Sequence, residues 1–218
     1  QGYMSIRYNQ SQHSGYHKPA QEELWVRFLD GDMDVYEQIF RRYYKDLYGY
    51  GLKICSRPEI VRDCIQELFV VIWDRRAFLD EVQSIKAYLL ASLRRSILKE
   101  LERQRKYSSQ SVEEGQTVHI QFSPEELIVE DEFRSYRKKA LYDALSRLPG
   151  RQKEVLYLKY FNGMSYEEIE EILSINYQSI RNHIYRAVKK LKKIMGDEFS
   201  EIIISLLLAF QWAIHWLN

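Results

Sequence analysis

Apolar side chains recur every three or four residues along most of this chain, which is the spacing expected where a helix buries one face. Four such stretches are predicted before residue 106. Their apolar positions are Leu24, Trp25, Phe28 and Leu29; Tyr36, Ile39, Phe40, Tyr43, Leu47 and Tyr50; Ile60, Ile65, Leu68, Phe69, Ile72 and Trp73; and Ile85, Tyr88, Leu89, Leu93, Ile97 and Leu101. No run alternates between apolar and polar residues for long enough to form a strand, so the predicted fold class is all-α.

Residues that favour helix ends separate these four stretches. The turn at 30–32, Asp-Gly-Asp, divides the first helix from the second. Ser56 and Glu59 have the spacing of a capping box around Pro58, which predicts the start of the third helix. Ser84 is the predicted N-cap of the fourth helix.

Three further helices are predicted between residues 150 and 193. The first begins after Pro149 and ends at Gly163, because glycine accepts the left-handed conformation that follows a helix. Ser165 caps the second with Glu168 at capping-box spacing, and Asn176 caps the third. The residues predicted to face inward are Val155, Leu156, Leu158 and Tyr160; Ile169, Ile172 and Leu173; and Ile180, Ile184, Val188 and Leu191.

The last two of these helices have the pattern of a helix-turn-helix, in which a short helix is followed by a basic one. No acidic residue occurs between residues 176 and 193. We expect the basic helix to enter the major groove of DNA. Its candidate DNA-binding residues are Gln178, Ser179, Arg181, Asn182, Arg186, Lys189 and Lys190. A helical hairpin with a solvated basic face stays open as the alternative.

The stretch at 148–192, LPGRQKEVLYLKYFNGMSYEEIEEILSINYQSIRNHIYRAVKKLK, resembles region 4 of a group 4, extracytoplasmic-function (ECF) sigma factor. The resemblance implies that this part reads the promoter −35 element and contacts the flap of the RNA polymerase β subunit. The stretch at 63–73, DCIQELFVVIW, resembles sigma region 2.2. In that region of the family, the polar face of a helix docks on the clamp coiled coil of the β′ subunit. The corresponding residues in this chain are Asp63, Gln66 and Glu67. An ordinary amphipathic helix is the alternative.

Residues 78–105 resemble sigma regions 2.3 and 2.4, which melt and read the −10 element. Interleaved aromatic and basic side chains suit single-stranded DNA, because bases stack on rings while cations follow the phosphates. The candidate −10 residues are Lys86, Tyr88, Arg94, Arg95 and Lys99. Tyr88 fits a core position equally well. The preceding loop, LDEVQ at 79–83, departs from the commoner arginine-glycine-acid pattern, so the resemblance carries over the position of the loop and not its contacts.

The composition of the chain and the motifs that it lacks exclude several classes of function. The 218 residues have a net charge of +1 and are 45% hydrophobic, which is enough for packed cores in one large or two small domains. The chain has no Rossmann or P-loop glycine pattern, no metal-ligand cluster and no nucleophile signature. We expect no catalysis, no cofactor, no bound metal and no small-molecule substrate. Cys55 and Cys64 are expected to be buried thiols of a cytoplasmic protein, since no signal peptide pattern is present.

These observations predict five segments. They are a flexible tail at 1–18, a sigma region 2 domain at 19–106, a linker at 107–134, a sigma region 4 helix-turn-helix domain at 135–196 and an apolar C-terminal helix at 197–218. The resemblance, Bacteroidetes-like in its apolar tail, implies an ECF sigma factor that binds core RNA polymerase and promoter DNA and is controlled by an anti-sigma factor. A helix-turn-helix regulator that is not a polymerase subunit is the alternative, but residues 20–106 resemble neither a dimerisation nor a ligand domain.

The C-terminal stretch has no charged residue from Ile202 to Leu217. At about 1.5 Å per residue such a helix is roughly 24 Å long, short of a hydrocarbon core of about 30 Å. A helix that is apolar on all sides must be shielded from water by protein or lipid. Three interpretations stay open: the helix packs on the chain's own domains, binds a partner such as an anti-sigma factor, or lies at a membrane.

Truncation at Glu198 separates these interpretations. If the tail covers the chain's own binding surfaces, the truncated chain binds core polymerase more tightly than the full-length chain. Co-elution with core polymerase on a sizing column measures this. Equal binding by both forms assigns the tail another role, and failure of both forms to bind contradicts the polymerase-docking interpretation of residues 63–73.

Overall fold

The computed structural model describes residues 18–107, 120, 122 and 132–196. Every regular element in these ranges is helical, which confirms the predicted all-α class. None of the helices within them is long and apolar enough to cross a membrane. The predicted N-terminal tail, most of the linker and the apolar C-terminal helix lie outside the described residues.

Four helices form the first domain. They are α1 (Lys18–Leu29), α2 (Met33–Ile54), α3 (Pro58–Asp74) and α4 (Ile85–Tyr107), with a short 3-10 turn at Arg76–Phe78. The second domain contains α5 (Glu132–Ser146), α6 (Gly150–Leu156), α7 (Tyr166–Leu173) and α8 (Tyr177–Met195). A single π-helical turn, Tyr157–Phe161, continues α6.

A cluster of aromatic rings in the core of the first domain lies where α1, α2 and α3 meet. Trp25 and Phe28 of α1 are buried with ring centroids 4.8 Å apart. Phe28 also lies 6.2 Å from Trp73 of α3, and Tyr36 of α2 lies 4.9 Å from Trp73. Because each ring buries a large apolar area, this cluster fixes α1 against the other helices.

The loop before α4 is anchored at both ends. The Trp25 Nε1–H donates a hydrogen bond of 3.0 Å to the carbonyl oxygen of Asp80, within the loop. At the other end, Ser84 Oγ accepts the Ala87 N–H at 3.2 Å, as predicted for an N-cap. The loop at 79–83 is therefore held by α1 and by the start of α4.

The predicted capping box at the start of α3 is wrong. The helix begins at Pro58, and its N-cap is Arg57, which makes no capping hydrogen bond through its side chain. Proline at the first helical position has no N–H to satisfy, so the helix can start there without a capping side chain. Ser56 lies one residue too early, and Glu59 is consequently the second helical residue and not the third.

Two residues near the middle of the predicted linker are buried. Ile120 is fully buried and Phe122 is 5% exposed. The Phe122 ring lies 5.3 Å from the ring of Phe161 and 6.3 Å from that of Tyr157, centroid to centroid. This part of the linker is therefore packed on the π turn of the second domain.

Substitution of Gly51 by alanine tests the close approach between α2 and its neighbours. An added Cβ would lie 2.5 Å from Cγ1 of Val61 and 3.3 Å from Cδ1 of Ile97. Overpacking of this kind costs about 1–3 kcal/mol, so the melting temperature should fall by roughly 2–12 °C. Thermal unfolding followed by circular dichroism measures the change.

Gly49→Ala is the matched control on the same helix. Its added Cβ would meet only the Tyr157 hydroxyl, at an ordinary contact distance of 3.8 Å. Since alanine favours the helix over glycine, this variant should keep or raise the melting temperature. Equal behaviour of the two variants would contradict the close approach at Gly51.

Candidate nucleic-acid interface

Local capping bonds set the geometry of the helix-turn-helix. Ser165 Oγ accepts the Glu168 N–H at 3.1 Å, and Glu168 Oε2 accepts the Ser165 N–H at 2.7 Å, which confirms the predicted capping box. Ser174 takes the left-handed conformation, with φ of 51°, and turns the chain from α7 into α8. Asn176 Oδ1 then accepts the Ser179 N–H at 2.8 Å, which confirms the predicted N-cap.

The inner face of α8 fixes which side chains point outward. Ile180, Ala187 and Leu191 are buried, whereas Ile184 and Val188 are partly buried against the core. The residues on the opposite side are accessible. Gln178, Arg181, Asn182, Arg186, Lys189 and Lys190 are exposed, and Ser179 is half-buried.

Within this exposed face the side chains restrain one another. The Gln178 side-chain amide donates to Asn182 Oδ1 at 3.2 Å, one helical turn away. The Arg181 guanidinium lies 5.8 Å from the centroid of the Tyr177 ring. Amide and guanidinium groups of this kind match the edges of adenine and guanine in the major groove. The face thus has the chemistry for base recognition near the N-terminus of α8.

Two exposed aromatic residues of α8 were missed by the sequence analysis. Tyr177 is 45% exposed and Tyr185 is 65% exposed. Tyr185 lies 5.9 Å from Lys189 Nζ, so ring and cation share one surface. Both tyrosines lie outside the apolar stripe of α8. The sequence therefore indicated that their rings have no core position to occupy.

Lys190 differs from the other basic residues of α8. Its Nζ donates to the carbonyl oxygen of Arg147 at 2.6 Å, which ties α8 to the end of α5. Its charge also acts on Lys153, whose pKa is lowered first by burial and then by Lys190. Lys190 thus makes a structural hydrogen bond to the end of α5, whereas Arg186 is exposed and can contact a phosphate or a base.

His183 lies between the two faces of α8 and is half-buried. Burial lowers the pKa of its imidazole, and the nearby cations Arg151 and Arg186 lower it further. Since the ordinary value is already below 7, the side chain is predominantly neutral at pH 7. His183 therefore adds no positive charge to the DNA-binding face at that pH.

On the first domain, α3 presents a polar face to solvent. Asp63, Gln66 and Glu67 are exposed, and their spacing of three and four residues places them side by side. Val70 and Val71 continue this exposed side and are 52% and 42% exposed. An acidic cluster next to an exposed apolar pair suits a protein partner better than DNA, because acids repel phosphate and uncovered apolar surface favours burial.

The five candidate −10 residues do not form one open surface. Arg95 and Lys99 are exposed. Tyr88 is half-buried with its ring 5.5 Å from that of Trp25, and burial raises the pKa of its hydroxyl. The assignment of the five residues to DNA stays a prediction, since Tyr88, Lys86 and Arg94 are at most partly exposed and already have partners inside the protein.

The other two are held at contacts with the second domain. Lys86 Nζ lies 2.7 Å from Asp46 Oδ2 and donates to the Asn162 carbonyl oxygen at 3.4 Å. Arg94 Nε donates to Glu154 Oε1 at 2.9 Å, and its side chain is 13% exposed. Burial is the largest single effect and acts to lower the pKa of Arg94, but the charge and hydrogen bond of Glu154 together with Tyr50 raise it above its usual value, so Arg94 stays charged.

The Glu154 carboxylate accepts hydrogen bonds from side chains of both domains. Its side chain is fully buried. The Tyr50 hydroxyl donates to Oε1 at 3.0 Å, and Arg151 Nη1 donates to Oε2 at 3.0 Å. Burial raises the pKa of Tyr50 well above its usual range, and the Glu154 charge raises it further. The sequence analysis missed Glu154, although an acid four residues before the buried Leu158 was a signal that it faces inward.

Family comparisons match both domains. The family described as Sigma-70 region 2 matches residues 39–107, and the family described as Sigma-70, region 4 matches residues 138–191. Together these matches cover more than half of the chain, in the order that the sequence analysis predicted.

Curated relatives match most of the chain. The chain is 27% identical over 170 residues to the RNA polymerase sigma factor YlaC of Bacillus subtilis, which covers 77% of this chain and 96% of that protein. It is 23% identical over 171 residues to the RNA polymerase sigma factor CarQ of Myxococcus xanthus, which covers 78% and 95%.

Solved structures share the fold. CnrH, in a complex with the cytosolic domain of CnrY, superimposes with a TM-score of 0.55 at 19% identity, covering 81% of this chain and 97% of that one. The sigma factor RpoE of Bartonella quintana, in a complex with the anti-sigma factor NepR, gives a TM-score of 0.52 at 18% identity and covers 74% and 96%.

We expect Arg181→Ala and Arg186→Ala each to weaken promoter binding by roughly 5- to 150-fold, the equivalent of about 1–3 kcal/mol for a lost base contact. Binding of core RNA polymerase should not change. The measurement uses the complex with core polymerase and a duplex selected by the wild-type complex from random sequences. Arg41→Ala, an exposed arginine of α2, is the control and should leave the affinity unchanged. Loss of polymerase binding in either α8 variant would contradict the assignment of this face to DNA.

Proposed function

The chain belongs to the sigma-70 family of RNA polymerase sigma factors and is of the ECF type, and from this membership we propose which of its surfaces carry out each step. An ECF sigma factor binds core polymerase, recognises the −35 and −10 promoter elements and initiates transcription, and this is the function of the chain. Sigma factors are initiation factors and not catalysts. The observation that carries this function is the ordered match of both sigma domains.

The −35 element is read by α8. The support is the exposed, acid-free face that includes Arg181 and Arg186, placed at the second helix of a helix-turn-helix. Lys189 supplies a phosphate contact farther along the helix. The −35 contacts therefore come from the second domain, which we place at 135–196.

Core polymerase is bound through α3 of the first domain, which we place at 19–106. The exposed group formed by Asp63, Gln66 and Glu67 fits a basic or polar partner surface, and the neighbouring Val70 and Val71 fit apolar burial against it. We assign this face to the clamp coiled coil of the β′ subunit and a second contact, from the region 4 domain, to the β flap.

The −10 element is melted and read along α4 and the loop before it. Arg95 and Lys99 are exposed and can follow phosphates from the start. The loop at 79–83 is held in place through Trp25 and Ser84, so its backbone is ordered before DNA arrives. Lys86, Tyr88 and Arg94 complete the proposed contact, although each also has a partner inside the protein.

An anti-sigma factor regulates the chain. The support is that the two solved structures described above are complexes, CnrH with the cytosolic domain of CnrY and RpoE with the anti-sigma factor NepR. We also propose that the chain acts in the cytoplasm, where core polymerase is found. Group 4 membership and a Bacteroidetes-like subtype are proposed from its two-domain organisation and its apolar C-terminal stretch.

Charge reversal on α3 tests the polymerase contact. Glu67→Lys replaces an exposed acid by a base, so it should weaken binding to core polymerase roughly tenfold or more if the face meets complementary charge. The affinity is measured by titration of labelled protein with core polymerase, and melting curves check the fold. Glu23→Lys makes the same reversal at an exposed position of α1 and should bind as the wild type does. Equal affinity for all three proteins would contradict the assignment of α3 to the polymerase.

A further inference from the structure

We propose that Tyr177, the first residue of α8, is a positioning residue for base recognition, and that its ring holds the Arg181 guanidinium at the end of α8 that reads the −35 element. The proposal rests on the function above, because it takes α8 as the reading helix and Arg181 as a base contact. Tyr177 acts through Arg181 and not through a contact of its own with DNA.

Tyr177 stands at a fixed point where α8 begins, outside the core. Its side chain is 45% exposed, whereas Ile180 and Leu191 occupy inward positions of the same helix. The backbone at this point is set by the N-cap, because Asn176 Oδ1 accepts the Ser179 N–H at 2.8 Å. The ring is therefore available to a neighbouring side chain on the exposed side of α8.

A second ring, from the preceding helix, supports Tyr177. Tyr166 is the first residue of α7 and packs partly buried against the core. Its ring lies 5.0 Å from that of Tyr177, centroid to centroid, with the planes 59° apart, and tilted ring pairs at this distance attract. The Lys159 ammonium lies 4.8 Å from the Tyr166 centroid and donates to the Met164 carbonyl oxygen at 3.1 Å. The Tyr177 ring is thus held by α7 as well as by its own helix.

The supported ring meets a cation one helical turn later. The Arg181 guanidinium carbon lies 5.8 Å from the centroid of the Tyr177 ring, within the range of a cation–π contact. Side chains of an α-helix lean toward its N-terminus, so a long side chain at one position reaches back over the residue four before it. Since α8 contains no acidic residue, no carboxylate on its own helix can hold this guanidinium, and the ring supplies the contact.

This contact places the guanidinium where base edges are read. The N-terminal turn of a recognition helix lies nearest the bases, and a guanidinium there can donate to O6 and N7 of guanine. An arginine side chain that is already held loses less rotamer freedom when DNA binds. The Gln178 amide and Asn182 Oδ1, 3.2 Å apart, form a second pair one turn apart at the same end of α8. The contact with the ring corresponds to a factor of about 2–5 in affinity.

The test uses full-length variants in complex with core RNA polymerase, which select duplexes from random sequences. Arg181→Ala should lose the base preference at the promoter position that Arg181 reads. Tyr177→Leu and Tyr177→Gln, which remove the ring, should lose the preference at that same position and bind the wild-type duplex about 2- to 5-fold more weakly. Tyr177→Phe keeps the ring and should retain both the preference and the affinity.

Double variants supply the matched controls. Tyr177→Leu should weaken binding no further when Arg181→Ala is already present, because the ring then has no guanidinium to hold. In the Arg186→Ala background the same substitution should still cost its full factor of about 2–5. Melting curves followed by circular dichroism check that each variant is folded, and if Tyr177→Leu is not, Tyr177→Gln decides.

Four results would each overturn the role of Tyr177. A loss in Tyr177→Phe equal to that in Tyr177→Leu would assign the effect to the hydroxyl, and a loss that persists in the Arg181→Ala background would mean that the ring touches DNA itself. Tighter binding by Tyr177→Leu would mean that the ring holds Arg181 away from DNA. An equal loss of preference at every position would indicate a general structural effect.

The proposed function of Arg181 fails separately. If Arg181→Ala keeps every base preference, Arg181 is not a reader, and the role of Tyr177 falls with it. If Arg181→Ala loses a preference that Tyr177→Leu and Tyr177→Gln both keep, the reading function of α8 stands and only the role of Tyr177 is wrong.

Discussion

The arrangement of the two domains depends on one buried carboxylate. An ionised group removed from water needs several donors, and removing one partner of such a pair costs about 3–5 kcal/mol. Glu154 meets this demand with Tyr50 and Arg94 from the first domain and Arg151 from its own. Arg151 in turn donates to the Leu173 carbonyl oxygen at the end of α7, so the same network supports the turn of the helix-turn-helix. One buried carboxylate thus joins helices of both domains beside this turn.

The two candidate DNA-binding surfaces differ in whether their side chains contact the other domain. The reading face of α8 is determined within the second domain by its own capping residues and apolar stripe, so it is formed whether or not the domains touch. The candidate −10 face, by contrast, shares its cations with a neighbouring domain. One surface is therefore complete within its own domain, whereas cations of the other are held by contacts between the domains.

Features that depend on neighbours in sequence were predicted well. The helical class, the capping box at Ser165, the N-caps Ser84 and Asn176 and the outward face of α8 follow from spacing and short-range hydrogen bonds, which the sequence displays directly. Features that depend on partners distant in sequence were missed. Nothing local to Arg94 indicates that its partner is 60 residues away, and Phe122 looks like part of a loop until its contact with Phe161 is seen.

The π turn at Tyr157–Phe161 has a consequence for how the family can vary in length. Its characteristic bond, from the Asn162 N–H to the Tyr157 carbonyl oxygen at 3.0 Å, accommodates one residue more than an α-helical turn would. In a regular α-helix each residue turns the chain by about 100°, so one residue inserted or deleted rotates everything that follows by that angle. The π turn holds its extra residue locally, so deletion of one residue here would leave an ordinary α-helical turn and keep the flanking residues in phase. This segment of the gene should therefore tolerate a one-residue deletion better than the regular helices on either side.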